Sequence, residues 1–131
     1  MTRFEKALQL WSVLAYCAHQ RQIISYDLLS GAVGVPRAGL GRLLEPIQSY
    51  CILNRLPPLT SLVVRARDGL PTDGFVAARN LPQAQAEAFA FPWLERPVPA
   101  PEDLIAAVEE LPSLGLSLSE LLKDIHPKDC Q

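Results

Sequence analysis

Apolar residues near the start of the chain recur with a helical period. Phe4, Ala7, Leu8, Trp11, Leu14 and Ala15 make one stripe, and Leu10, Val13 and Cys17 make a second beside it. The spacing predicts a helix from about Arg3 to Gln20. A helix apolar over so much of its circumference is covered on more than one side, as a central scaffold helix or as one partly buried in a dimer. Gln22-Ile23-Ile24 reads as a short β segment. Ser25 then suits an N-cap, and Asp27 suits the first turn of a second helix, where the dipole favours a carboxylate. Leu28, Leu29, Ala32 and Val33 form its expected buried face, and Gly34 its stop. Pro36 opens a third helix, with Leu40, Leu43 and Leu44 turned inward and Arg37, Ala38, Gly41 and Arg42 outward. Helix, tight turn, helix is the outline of a helix-turn-helix.

Glu45-Pro46 predicts an end to that helix, with another running from Pro46 to about Arg55. There Ile47, Tyr50, Cys51 and Asn54 share a face, which makes Cys51 a core residue. Pro57-Pro58 breaks the chain. The alternation of Thr60, Leu62 and Val64 with Ser61 and Val63 reads as a strand, Asp68-Gly69 as a turn, and Leu70 to Val76 as a returning arm. A β-hairpin after a helix-turn-helix is a wing. Beyond it, 81–91 is helix-prone, Pro92-Trp93 stops it, and Arg96 to Pro101 is an extended linker. Glu102 and Asp103 open a helix to about Leu111, and Ser117 and Glu120 form a capping box for a last one over Leu118 to Ile125. The expected fold is mainly α with a small β-hairpin: a winged helix-turn-helix over residues 1–80, followed by an acidic, proline-rich helical extension over 81–131.

Composition narrows the function classes. The chain has 131 residues, 49% of them hydrophobic, enough for one core, and its 12 prolines predict short helices. Cys17, Cys51 and Cys130 are odd in number and form no CxxC pair, so neither a disulfide framework nor a zinc site is expected, and a reducing, cytoplasmic setting is the simpler reading. Arg3 and Lys6 before the apolar run 7–18 give it the outline of a secretory signal. Glu5 and Gln9 interrupt that outline, and Tyr16 is too bulky for the position before a cleavage site. The run is too short to span a bilayer, so no membrane partner is expected. His19 and His126 lack metal-ligand spacing, and no phosphate loop or Ser-His-Asp pattern occurs, so no metal, cofactor or enzyme active site is expected. Charge is uneven. Residues 1–79 hold nine Lys/Arg against five carboxylates, and residues 80–131 hold three against nine. The pattern is a basic working half with an acidic appendage.

The stretch from Trp11 to Leu44 resembles the DNA-binding half of the O6-alkylguanine-DNA alkyltransferase family and its alkyltransferase-like relatives. The residues that carry the resemblance are Trp11 with Val13-Leu14, Ser25-Tyr26-x-x-Leu29, Val33-Gly34-x-Pro36 and Leu40-Gly41-Arg42-x-Leu44. Val63-Val64, Asp68-Gly69 and Gly74-Phe75 are similar to the family's active-site strand and the segment after it. The family's acceptor lies in a Pro-Cys-His-Arg motif, but the corresponding segment here is Pro58-Leu59-Thr60-Ser61-Leu62, so alkyl transfer at that position is excluded. The resemblance also implies an arginine that fills the space left by a flipped base. Ala38 stands there instead, which removes the main support for base flipping.

Six residues are candidate contacts to double-stranded DNA: Ser25, Tyr26, Arg37, Arg42, Arg65 and Arg67. Small residues between Arg37 and Arg42 let the backbone approach a groove while the guanidinium groups reach phosphate or base edges. Arg65 and Arg67 fall at the expected hairpin tip. The plainer readings are an exposed charged helix face, a cap at Ser25, packing at Tyr26 and a charged hairpin edge. Two functions follow. One is noncatalytic DNA binding, regulatory or accessory to DNA processing. The other is a protein-interaction module on the same frame, homodimeric or partner-binding through the first helix or the C-terminal extension.

Overall fold

The structure is a computed structural model that describes residues 1–71 and 80–113. It is mainly helical, with one small two-stranded parallel sheet. Helix α1 spans Arg3–His19. Its start is fixed by a reciprocal cap: the Thr2 hydroxyl accepts from the Glu5 backbone N–H, and the Thr2 N–H donates to Glu5 Oε1 at 2.8 Å. Ala7, Leu10, Trp11, Leu14, Ala15, Cys17 and Ala18 are all buried. Both apolar stripes are therefore covered within the chain, and α1 is the scaffold that the other helices pack around.

Strand β1, Ile24–Ser25, leads directly into α2, Tyr26–Val33. Ser25 caps α2, its hydroxyl accepting from the Leu28 N–H at 3.1 Å. Gly34 ends it at φ 69°, a left-handed conformation that favours glycine. The buried face differs from the expected one. Tyr26, Leu29 and Val33 point inward, whereas Leu28 is 68% exposed and Ala32 faces solvent. Once Tyr26 is turned into the core, spacings of three and seven select Leu29 and Val33, and Leu28 lies about 100° to 200° around the helix from them.

The two helices expected on either side of Pro46 are one. A 3₁₀ turn at Arg37–Gly39 runs into α3, Leu40–Leu53, which continues through Pro46. An interior proline lacks the N–H that would bond the carbonyl four residues earlier. That carbonyl belongs to Arg42, and it accepts instead from Arg3 Nε at 2.7 Å. The same guanidinium donates to Glu45 Oε1 at 2.7 Å. The proline gap is thus closed from α1, and the Pro46 ring is buried.

The β element is also different from the expected hairpin. Residues Leu59–Leu62 form a 3₁₀ turn, and only Val63–Val64 is strand, β2. It pairs in parallel with β1, Ile24 opposite Val63 and Ser25 opposite Val64. The alternation read as a strand fails physically because Leu59 to Val64 are buried without alternation, between α1, α3 and the helix that follows. After β2 the chain turns tightly. Gly69 N–H donates to the Arg65 carbonyl at 2.8 Å and Arg65 N–H to the Leu70 carbonyl at 2.7 Å, with Gly69 left-handed at φ 69°. These two bonds close a four-residue hairpin-type loop. Most of the expected returning arm, including Gly74 and Phe75, lies outside the described residues, as does the helix expected over 118–125.

Asn80 caps α4, Leu81–Ala90, and a 3₁₀ turn at Trp93–Glu95 leads to α5, Pro101–Ser113. Trp93 donates its indole N–H to the Ala88 carbonyl and meets Trp11 edge-on, ring centres 5.6 Å apart. Tyr50 also meets Trp11 edge-on, at 5.6 Å. Helix α5 packs chiefly on α3 and also on α1, burying Leu104, Ala107 and Leu111. Ala88, Trp93 and Leu104 belong to the same apolar cluster as Leu10, Trp11 and Ile47.

Candidate nucleic-acid interface

Arg37 and Arg42 both reach solvent. Arg37 stands on the 3₁₀ turn before α3. Its guanidinium lies 5.8 Å from the centre of the Tyr26 ring and 3.8 Å from Asp27 Oδ1. Those contacts steer it without burying it, since its side chain stays 52% exposed. Arg42 lies on the first exposed turn of α3, next to Gly41. A Cβ added at Gly41 would meet nothing within 4 Å. The fold therefore does not require glycine there.

The other four candidates separate. The Ser25 hydroxyl is the α2 cap, and Tyr26 is buried and packed. Arg65 folds back on Asp68 at 2.9 Å, so it belongs to the turn that carries it. The Leu70 backbone N–H, with Arg65 beside it, holds the Asp68 carboxyl below its usual pKa. Arg67 is the exposed cation of this turn, its side chain 79% accessible and 3.9 Å from Asp68. The fold thus leaves Arg37, Arg42 and Arg67 as the accessible members of the set.

Two further cations join Arg42 that the sequence reading did not single out. Arg3 and Lys6 on α1 line an open groove of about 540 Å³ with Arg42, Val35, Gly39 and Leu43. Nothing local marks Arg3 and Lys6 as partners of Arg42, because tertiary packing alone brings these separated segments together.

Cys51 is 1% exposed, and burial pushes its thiol up to about 12, which a hydrogen bond from the Leu59 backbone and the charge of Arg96 only partly oppose. Burial also raises Cys17. A neutral, enclosed thiol is a poor nucleophile. The hydroxyls of Thr60 and Ser61 are buried and meet no hydrogen-bond partner among the described residues. Also among the described residues, no group of three His, Cys, Asp or Glu side chains is placed to hold a metal ion, and no helix is long and apolar enough to cross a membrane. The chain matches no family model, and no characterised protein or solved structure is significantly similar to it.

Proposed function

We propose that the chain is a noncatalytic double-stranded DNA-binding protein of winged-helix type, with Arg37, Gly41 and Arg42 forming the groove-facing surface and Arg67 a flanking contact on the 65–70 turn. The observation that carries this reading is Gly41. A glycine that packing does not demand, on the exposed first turn of α3 and next to Arg42, leaves backbone open to close approach. The charge distribution supports it, since residues 1–71 hold eight Lys/Arg against four carboxylates while 80–113 hold one against six. Arg37 and Arg42 then contact phosphates or guanine edges. Fluorescence anisotropy of the full chain with a labelled duplex tests this directly. The expected result is micromolar or tighter binding at low salt that weakens steeply as salt rises. Arg37→Glu with Arg42→Glu is expected to weaken it by at least about tenfold. Absence of binding at low salt, or an unchanged affinity in the double variant, overturns the reading.

A protein-interaction role on the same frame is favoured by one observation, the exposure of Leu28 at 68% and Ile23 at 48% on the β1–α2 side. Sedimentation of the same samples separates the two readings: a monomer that binds DNA fits the first, and a concentration-dependent dimer without DNA affinity fits the second.

A further inference from the structure

The groove between α1 and α3 has the features of a built anion site. Its cations come from two helices, with Arg3 and Lys6 on α1 and Arg42 on α3. Among the described residues, no carboxylate lines it. Arg3 is already committed to the Arg42 carbonyl and Glu45, but Lys6 and Arg42 have no ion-pair partner among the described residues. Packing therefore holds two uncompensated positive side chains on one concave surface, an arrangement that an anion relieves. Its apolar lining includes Val35 and Leu43, with Gly39. A volume of about 540 Å³ is far more than a lone phosphate needs and falls in the range of sites for whole ligands.

We infer that this groove holds one backbone nucleotide of a DNA strand, its phosphodiester between Lys6 and Arg42 and its sugar on Val35 and Leu43. The inference rests on the DNA-binding reading and extends it from α3 to α1. Arg42 then joins two contacts, since it sits both beside Gly41 on the groove-facing surface and on the rim of this site. The contact is to backbone, so it adds affinity and salt dependence without sequence preference.

The test is anisotropy of the full chain with duplexes of two unrelated sequences over a range of salt, comparing Lys6→Gln, Lys6→Arg and Arg37→Gln. Lys6→Gln is expected to weaken both duplexes equally, roughly three- to fivefold at low salt, and to reduce the salt slope by about 0.9, the value of one phosphate contact. Lys6→Arg is expected to keep the wild-type slope. If Arg37→Gln weakens binding while Lys6→Gln leaves affinity and slope untouched, the groove assignment fails and the DNA-binding reading stands. If the wild-type chain binds neither duplex, both fail. A Lys6-dependent association with phosphatidylglycerol vesicles in place of DNA reassigns the groove to a lipid phosphodiester and also overturns the inference.

Discussion

At the scale of single residues, burial decides what chemistry is available. Cys51 is a nucleophile by element but a core atom by environment. Native protein treated with iodoacetamide near pH 8 is expected to leave Cys51 unmodified on peptide mass mapping, with labelling appearing only in denaturant. Equal labelling rates in the folded and unfolded chain would sink this expectation. The sign of the pH dependence follows. Burial pushes the folded thiol up to about 12, above its ordinary value of 9.0, so the unfolded chain loses the proton first. The stability linked to this group is whole below about pH 9 and declines as pH rises toward 12. Replacing it by Cys51→Ala is expected to flatten that alkaline decline in urea midpoints. The helical register alone already placed Cys51 in the core. The exposure of Leu28 was not legible in this way, because it depends on whether Tyr26 turns inward, and that is set by contacts beyond α2.

At the scale of elements, local signals located helix ends well and helix continuity poorly. The Ser25 cap and the Gly34 stop were readable, since each acts through its own backbone. Thr2 and Glu5 carried the capping-box spacing as well, a signal present in the sequence and overlooked beside the apolar stripes. Pro46 reads as a helix end because its penalty, roughly 3 kcal/mol or more in an unsupported helix, is offset in part by a side chain 39 residues away and in part by burial of its ring, neither of which is local. A double-mutant cycle checks this account. Arg3→Ala is expected to cost about 0.5–1.5 kcal/mol in the native background. In a Pro46→Ala background the restored N–H satisfies the Arg42 carbonyl, so the cost of Arg3→Ala shrinks toward that of the Glu45 pair alone. Additive costs in chemical denaturation would show that the guanidinium does not substitute for the missing N–H. The β2 pairing was hidden for the same reason as the Arg3 contact. A parallel partner for Val63 lies across two helices, and no turn signal announces it.

At the scale of the whole molecule, residues 80–113 complete the core that the N-terminal half begins. A chain ending at residue 80 lacks Ala84, Ala88, Trp93, Leu104, Ala107 and Leu111, all buried in the full chain. It is expected to lose cooperative thermal unfolding and much of its far-ultraviolet helical signal, and a sharp transition with native helicity would contradict the shared core. The charge asymmetry between the halves was visible in composition, whereas the seating of α5 on α3 was not, because proline-rich spacing says nothing about where the next helix docks. The late arrival of these residues has a consequence for synthesis. Trp11 meets its second edge-on partner only when Trp93 has been made, and α3 gains the cover of α5 only with Leu104 and Leu111. While the ribosome is still adding the second half, the part of the first helix that α4, the Trp93 turn and α5 will cover stays bare, a window of several seconds at ordinary elongation rates in which chaperones or neighbouring chains can reach it.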